Sequence, residues 1–129
     1  MDSSVLFVTP YPRDVRLLAQ MLEESSIAVI HAESVREARG KLSEETFGVV
    51  LTESKLEDGN WLDVLELAGS SGTHVVVTDA WADAPFWATA INLGAYDLLA
   101  QPFRRTEVRR VLASASLRPV CLKVSAAVS

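Results

Sequence analysis

The fold is decided by residues 48–78, whose sequence is GVVLTESKLEDGNWLDVLELAGSSGTHVVVT. An apolar run of strand length opens this stretch, and a second run, His74–Thr78, closes it. Between the two runs, Leu62, Leu65 and Ala68 recur at helical spacing and are predicted to face the core. A helix between two strands that are apolar on both faces is typical of a parallel sheet covered by helices.

The same alternation continues on both sides of this stretch. Three more runs of strand length are Val5–Thr9, Ile27–His31 and Asp97–Ala100, and a segment of helical period follows each strand. In the segment after the fourth strand, Trp87 and Ile91 lie in phase and are predicted to pack inward with Ala90. Five strand–helix units in alternation predict a doubly wound parallel sheet with right-handed crossovers.

The composition limits the classes of protein to which the chain can belong. Its 129 residues fit one domain, and 49% hydrophobic with 22% charged residues is typical of soluble globular proteins. Twelve basic against seventeen acidic side chains give a net charge of −5, which argues against direct nucleic-acid binding. The single cysteine, Cys121, suits a reducing compartment. Without a membrane-length apolar run or a signal peptide, we expect a cytoplasmic domain that does not bind membranes.

A ligand site in such a sheet belongs at the carboxyl ends of the strands. The segments there are residues 9–12, 53–60, 78–83 and 100–103. They resemble the landmarks of the response-regulator receiver domain of two-component systems. The quoted motifs are VLFVT at 5–9 for its first strand, VVLTESKLEDGN at 49–60 for its third strand and loop, VVVT at 75–78 for its fourth strand, and LGAYDLLAQPF at 93–103 for its fifth strand and proline turn.

This resemblance covers residues 4 to 116 and implies a fold in more detail. It implies a flavodoxin-like three-layer αβα sandwich with a five-stranded parallel sheet in the order 2-1-3-4-5. The receiver-like domain is expected over residues 1–117, and residues 118–129 are expected to form a C-terminal tail or a linker stub. The resemblance also implies a cis peptide bond before Pro102.

Most of the functional positions that the resemblance implies have changed. Thr9 and Pro10 stand where the family has the acidic pair that holds Mg²⁺, Glu53 replaces the phosphoacceptor aspartate, and Gln101 replaces the lysine. The signalling hydroxyl is retained as Thr78. Magnesium requires hard oxygen ligands in tight octahedral geometry, so we expect neither Mg²⁺ nor another cofactor. These changes predict a pseudo-receiver: a module that is not an enzyme and that works through protein interactions.

The roles of the three remaining site residues stay open between alternatives. Glu53 either mimics a phosphoryl group by hydrogen bonding to Thr78 and Gln101, or it is a partly solvated remnant. Thr78 either gates the loop before the fourth helix or satisfies backbone groups at a strand end. Gln101 either forms hydrogen bonds where the lysine stood or only packs.

Two other functions remain as alternatives to the pseudo-receiver. In the first, the domain is a working phosphoacceptor that uses Glu53 or a nearby aspartate. In the second, it is a sensor whose neutralised pocket, lined by Thr9, Trp61 or Trp81, binds a small organic ligand. Asp58, Asp79 and Asp83, in loops on the site side, are expected to have turn and cap roles and not to bind metal. His31, at a strand end, and His74, at a strand start, are not expected to bind metal either, because no ligand cluster surrounds them.

The predicted interaction surface comprises the fourth helix, the fifth strand and the fifth helix. Trp81 lies in the loop before the fourth helix and is expected to be exposed. Arg105 and Arg109 belong to a basic group on the fifth helix. Through this face we expect a protein partner: a kinase, an effector domain or a second copy of the chain.

Overall fold

The computed structural model describes residues 3–81 and 83–117 and contains a parallel five-stranded sheet. Its strands are β1 (Ser3–Val8), β2 (Ile27–Ala32), β3 (Val49–Glu53), β6 (His74–Asp79) and β7 (Asp97–Ala100), in the order β2-β1-β3-β6-β7. A short antiparallel pair, β4 (Lys55–Leu56) and β5 (Gly59–Asn60), follows β3. The helices are α1 (Pro12–Met21), α2 (Val35–Glu44), α3 (Trp61–Ser70), α4 (Ala84–Leu93) and α5 (Arg105–Leu117).

The predicted flavodoxin-like order 2-1-3-4-5 is confirmed for the five long strands. The β4–β5 pair is an addition that the sequence did not suggest. The expected tail over residues 118–129, with Cys121, lies outside the described residues. No helix in the described part of the chain is long and apolar enough to cross a membrane.

Alternation along the strands divides the core into two layers. In β1, Leu6 and Val8 belong to the cluster beneath α2, α3 and α4, whereas Val5 and Phe7 belong to the cluster beneath α1 and α5. All four side chains are fully buried. Because successive strand residues point to opposite faces, a strand covered on both sides must be apolar throughout, which is the pattern the sequence carries.

The buried faces of α3 and α4 differ from the prediction by one residue. In α3, Leu62 is 42% exposed and Trp61 and Val64 are buried, whereas the predicted Ala68 is buried and the predicted Leu65 packs partly buried against the core. Trp87 and Ile91 are 53% and 40% exposed, so their predicted inward packing is wrong. In α4 the core contact is made by Ala90 together with the partly buried Phe86, and the ring of Phe86 meets that of Trp61 edge to face at 6.3 Å.

The helix termini confirm several sequence-based predictions. Asn60 caps α3 through a reciprocal pair of bonds with Asp63, and Asp83 accepts the backbone N–H of Phe86 at the start of α4. Asp58 precedes α3 in the chain but caps α2. Its two carboxylate oxygens accept the N–H groups of Val35 and Arg36, at 2.9 and 3.0 Å. These hydrogen bonds hold the pKa of Asp58 below its usual value. The Gln101–Pro102 peptide bond is cis, as expected.

Candidate functional site

The carboxyl ends of four neighbouring strands bring the candidate site together. Glu53 ends β3, beside Thr78 in β6, and the residues that follow β1 and β7 add Thr9 and Gln101. Thr9 and Gln101 lie 44 and 48 positions from Glu53 in the chain, so only the order of the strands in the sheet makes them neighbours. Pro10 lies beside the cluster and offers no side-chain donor or acceptor.

Hydrogen bonds join the four side chains into one cluster. Thr9 Oγ1 donates to Glu53 Oε2 at 3.3 Å, and Gln101 Nε2 donates to Glu53 Oε1 and Oε2 at 3.3 and 3.2 Å. The same Nε2 donates to Thr78 Oγ1 at 3.1 Å. The Thr78 hydroxyl gives its own hydrogen to the Leu99 carbonyl at 2.8 Å. Glu53 and Thr78 are therefore linked through Gln101 and not by the direct bond that a phosphoryl mimic was expected to make.

Glu53 is a carboxyl in a setting that disfavours its charge. Its side chain is only 9% exposed, and the charged groups facing it, Asp14 from α1 and Asp79 from the end of β6, are both acidic. Burial, with a smaller contribution from the two acids, raises the pKa of Glu53 to about 7, against the lowering effect of the Gln101 and Thr9 hydrogen bonds. Among residues 3–81 and 83–117, no salt bridge reaches this carboxyl.

The donor set does not fit the Mg²⁺ that the receiver family uses. Thr9 is fully buried, and its hydroxyl oxygen already donates to Glu53 and accepts the backbone N–H of Tyr11 at 3.2 Å. Within the described ranges, no group of three or more His, Cys, Asp or Glu residues could hold a metal ion. Because Mg²⁺ requires near-octahedral oxygen ligation, usually with carboxylates, these side chains do not provide its site.

Two acidic residues near the site were not among the predicted site residues, although Asp79 falls in the predicted site segment 78–83 and was expected to have a turn or cap role. Asp79 accepts hydrogen bonds from the Ser54 hydroxyl and from the backbone N–H of Trp81, and both bonds order the loop after β6. Asp14 stands in the first turn of α1 and raises the pKa of Glu53 through its charge. Its position in that first turn, directly after the first site segment, is the signal by which sequence analysis could have found it.

Trp81 separates two open cavities at the mouth of the site. It is 89% exposed, as expected. One cavity, of about 420 Å³, is lined by Asp14, Leu17, Ala80, Trp81, Gln101, Pro102 and Phe103. The other, of about 530 Å³, is lined by Ser54, Lys55, Asn60, Trp61, Asp79, Trp81 and Phe86. The second cavity thus includes Trp61 and Trp81, two of the residues named for the small-ligand pocket, whereas Thr9 is fully buried and lines neither of these two cavities.

The two arginines expected at the interaction surface have different surroundings. Arg105, at the start of α5, is exposed. Arg109 turns toward α1 instead: its Nε donates to the Met21 carbonyl at 3.0 Å, and its guanidinium lies 4.0 Å from the Glu24 carboxylate. Arg109 thus connects α5 to the end of α1, whereas Arg105 is exposed.

Comparison with known proteins gives a consistent family match. Residues 5–113 match the family model described as the response regulator receiver domain. The acid tolerance regulatory protein ActR of Rhizobium meliloti is 31% identical over 120 residues, which are 92% of this chain. The chain spans 60% of the length of that relative.

Solved structures agree with this match at the level of the fold. The signal receiver domain of a putative Luxo repressor protein from Vibrio parahaemolyticus superposes with a TM-score of 0.84, at 21% identity, over 98% of both chains. The beryllofluoride-activated NtrC4 receiver domain dimer gives a TM-score of 0.78 at 25% identity, over 87% of this chain and 94% of the other.

Proposed function

This chain belongs to the response regulator receiver domain family of two-component systems, and we propose that it is a pseudo-receiver whose output does not depend on metal-dependent phosphorylation. The observation that carries this proposal is the hydrogen-bond cluster around Glu53, which joins Thr9 and Gln101. The cluster satisfies these side chains among themselves. Neither a metal ion nor a phosphoryl group is needed to hold the site together.

The electrostatics of the site support the same proposal. A phosphoryl group brings additional negative charge, which receivers of the usual kind balance with a divalent cation and a lysine. Here the incoming group would meet Asp14, Glu53 and Asp79, with neutral Gln101 in the lysine's place. A phosphoacceptor role for Glu53 or a nearby aspartate is therefore the weaker alternative.

Receiver domains generally act as signalling modules that interact with kinases and effector domains and are not themselves enzymes. We propose that this chain likewise catalyses no reaction and binds a protein partner. Response regulators usually work in the cytoplasm, and we expect the same of this chain. A net charge of −5 favours a protein partner over direct contact with nucleic acid.

The α4–β7–α5 face is the surface that we propose for the partner. Helix α4, APFWATAINL, has no charged residue, yet Trp87, Ile91 and Leu93 are 53%, 40% and 52% exposed. The exposed Trp81, in the loop before α4, and the exposed Arg105, at the start of α5, extend this surface. Exposed aromatic residues with a basic edge favour a partner that has an apolar centre and an acidic rim.

Intact mass after incubation with acetyl phosphate and Mg²⁺ tests the pseudo-receiver directly. We expect no added phosphoryl group on the wild-type chain, with an ordinary receiver as the positive control. The variant Glu53→Asp should also stay unmodified, because Thr9 and Pro10 still provide no carboxylate for the metal. A stoichiometric, labile phosphate on the wild-type chain would overturn the proposal in favour of the phosphoacceptor.

A restored variant is the matched control for this experiment. Thr9→Asp, Pro10→Asp, Glu53→Asp and Gln101→Lys together return the acids and the lysine of the family. We expect this combination to take up phosphate in the presence of Mg²⁺ and to lose the response when the metal is chelated. Uptake by the restored variant alone would assign the missing activity to these four positions.

A small-ligand sensor is a second candidate, favoured by one observation. The cavity of about 530 Å³ is lined by three aromatic side chains, Trp61, Trp81 and Phe86, beside Asp79. Its volume lies within the range of about 300–1,000 Å³ that is usual for ligand pockets. Tryptophan fluorescence against a library of small organic ligands tests it. The sensor predicts a saturable change in the wild-type chain that Trp81→Ser removes, and the absence of any such change would exclude it.

A further inference from the structure

Gln101 lies between an ionisable carboxyl and a signalling hydroxyl, with one nitrogen contacting both. Its Nε2 donates to both oxygens of Glu53, at 3.2 and 3.3 Å, and to Thr78 Oγ1 at 3.1 Å. Thr78 in turn donates to the Leu99 carbonyl at 2.8 Å. Every hydrogen bond in this series has the direction that an ionised Glu53 requires, because an ionised carboxylate can only accept hydrogen bonds.

The charged groups around Glu53 favour the uptake of a proton, against the hydrogen bonds from Gln101 and Thr9, which favour the ionised form. Asp14 from α1 and Asp79 from β6 face Glu53 with negative charge. Its other neighbours, Thr9 after β1 and Gln101 after β7, are neutral. His31 from β2 contacts the Thr9 carbonyl, not the carboxyl, at 2.7 Å. Lys55, the basic residue closest in sequence, is exposed on β4.

Protons can reach the carboxyl from one side of the cluster. The cavity of about 420 Å³ between α1 and the loop after β6 opens onto Gln101, and Asp14 and Trp81 form two of its walls. Glu53 itself retains 9% exposure. The site is therefore closed enough to penalise the charged form and open enough to exchange protons with water.

We propose that protonation of Glu53 is the input of this receiver and that Gln101 transmits it to Thr78 by turning its side-chain amide. This inference rests on the proposed phosphorylation-independent function and adds the signal that sets its state. Its chemistry is the transfer of one proton from water to a Glu53 carboxylate oxygen, with no other bond made or broken.

The transmission follows from the donors and acceptors of each group. A protonated Glu53 has an O–H to donate, which Gln101 Nε2 cannot accept, so the amide turns by half a rotation to present Oε1. That oxygen then faces Thr78 as well, and its second lone pair accepts the Thr78 hydroxyl. The hydroxyl leaves the Leu99 carbonyl, and the loop after β6, which carries Trp81, receives the change.

The burial of Glu53 sets the pH range in which this switch operates. The pKa of Glu53 is raised to about 7, chiefly by burial, so its charge changes near neutral pH and not in acid. Below this range Glu53 is protonated and Thr78 is turned toward Gln101, and above it the observed arrangement holds.

NMR titration of the 129-residue chain, without phosphodonor or Mg²⁺, tests the switch. We expect the Glu53 carboxyl carbon and the amide signals of Thr78 and Trp81 to shift together, with a common midpoint near neutral pH. In Glu53→Gln, which carries a neutral donor at every pH, the Thr78 and Trp81 signals should stay at their acidic wild-type positions. Signals of Thr78 and Trp81 that do not move between about pH 5 and pH 9 would overturn the proposal.

Two further variants separate transmission from other causes. In Gln101→Met, which has similar length but no amide, Glu53 should still titrate while Thr78 and Trp81 no longer follow it. An unchanged response of Thr78 and Trp81 in this variant would overturn the role of Gln101. His31→Asn is the control for the histidine that contacts the Thr9 carbonyl, and it should leave the response intact. A response that His31→Asn removes would assign the pH dependence to the histidine instead.

This titration and the phosphorylation experiment fail independently. Phosphate uptake with an intact pH response would overturn the pseudo-receiver and leave the proton switch in place. The absence of both would leave a receiver whose state is set by partner binding alone, and the proton switch would be wrong.

Discussion

Glu53 gives the protein a pH dependence of stability whose sign follows from its burial. The pKa of this carboxyl is raised from 4.5 to about 7 in the folded chain. Between these values the folded protein binds a proton that the unfolded chain does not bind. The free energy of unfolding therefore falls as pH rises from 4.5 to about 7, and above that range the loss is complete.

The variant Glu53→Gln should remove this dependence, because the amide does not titrate. We expect the variant to gain stability relative to wild type between pH 5 and pH 8, by at most about 3 kcal/mol. Chemical denaturation at pH 5 and at pH 8 measures this difference in unfolding free energy. Glu66→Gln, on the exposed face of α3, is the control. A wild-type chain and a Glu53→Gln variant with parallel pH profiles would contradict the raised pKa.

At the scale of single elements, α3 and α4 illustrate why helix faces are difficult to predict. Helix α3 is WLDVLELAGS and α4 is APFWATAINL, and both contain apolar residues on more than one side. A periodic pattern identifies a buried face only where polar residues mark the opposite one. In α5, arginines and Glu107 supply that contrast, and the apolar residues at helical spacing, Val108, Val111, Leu112 and Ala115, are buried.

Substitutions at two adjacent aromatic residues of α4 test the corrected face. Phe86→Ala should cost about 2 kcal/mol of unfolding free energy, because Phe86 packs on the core and against the Trp61 ring. Trp87→Ala should cost less than about 1 kcal/mol, since Trp87 is 53% exposed. Urea denaturation of the two variants compares them directly, and the reverse order would restore the face predicted from the sequence.

At the scale of the whole molecule, the distribution of charge and apolar surface points to a binding face. The chain carries a net charge of −5, yet α4 contributes no charge and exposes three large apolar side chains. Contiguous exposed apolar surface on a small domain is typical of an interaction site. A second copy of this chain, one of the partners expected from the sequence, is a specific partner to test for this face.

Sedimentation equilibrium over a range of concentrations tests self-association through α4. We expect the apparent molar mass to rise from monomer toward dimer, and Trp87→Glu to abolish the rise by burying an unpaired charge in the interface. Leu62→Glu is the matched control, because Leu62 is also a large apolar side chain, is 42% exposed, and belongs to α3 and not to α4. A chain that stays monomeric throughout, or equal loss in both variants, would contradict self-association through α4.

The sequence by itself determined the order of strands and helices, the residues of the core strands and membership of the receiver family. These features depend on patterns within a few neighbouring residues: apolar runs of strand length, caps such as Asn60, and the motif from Leu93 to Phe103. The five long strands followed from these patterns, and their order in the sheet was implied by the resemblance to the receiver family. The replacements that the resemblance implies at Thr9, Pro10, Glu53 and Gln101 could also be proposed from the sequence, because each falls at a strand end that the motifs define.

Only the tertiary structure decided how those residues meet. The bonds from Glu53 to Thr9 and Gln101 join positions 44 and 48 residues apart, and the bond from Arg109 to Met21 spans 88 residues. Which atom donates to which, how far a carboxyl is buried and which side of an apolar helix packs all depend on distant elements that a local pattern does not encode. For this reason Gln101 as the link between Glu53 and Thr78, and the near-neutral pKa of Glu53, emerge only from the folded chain.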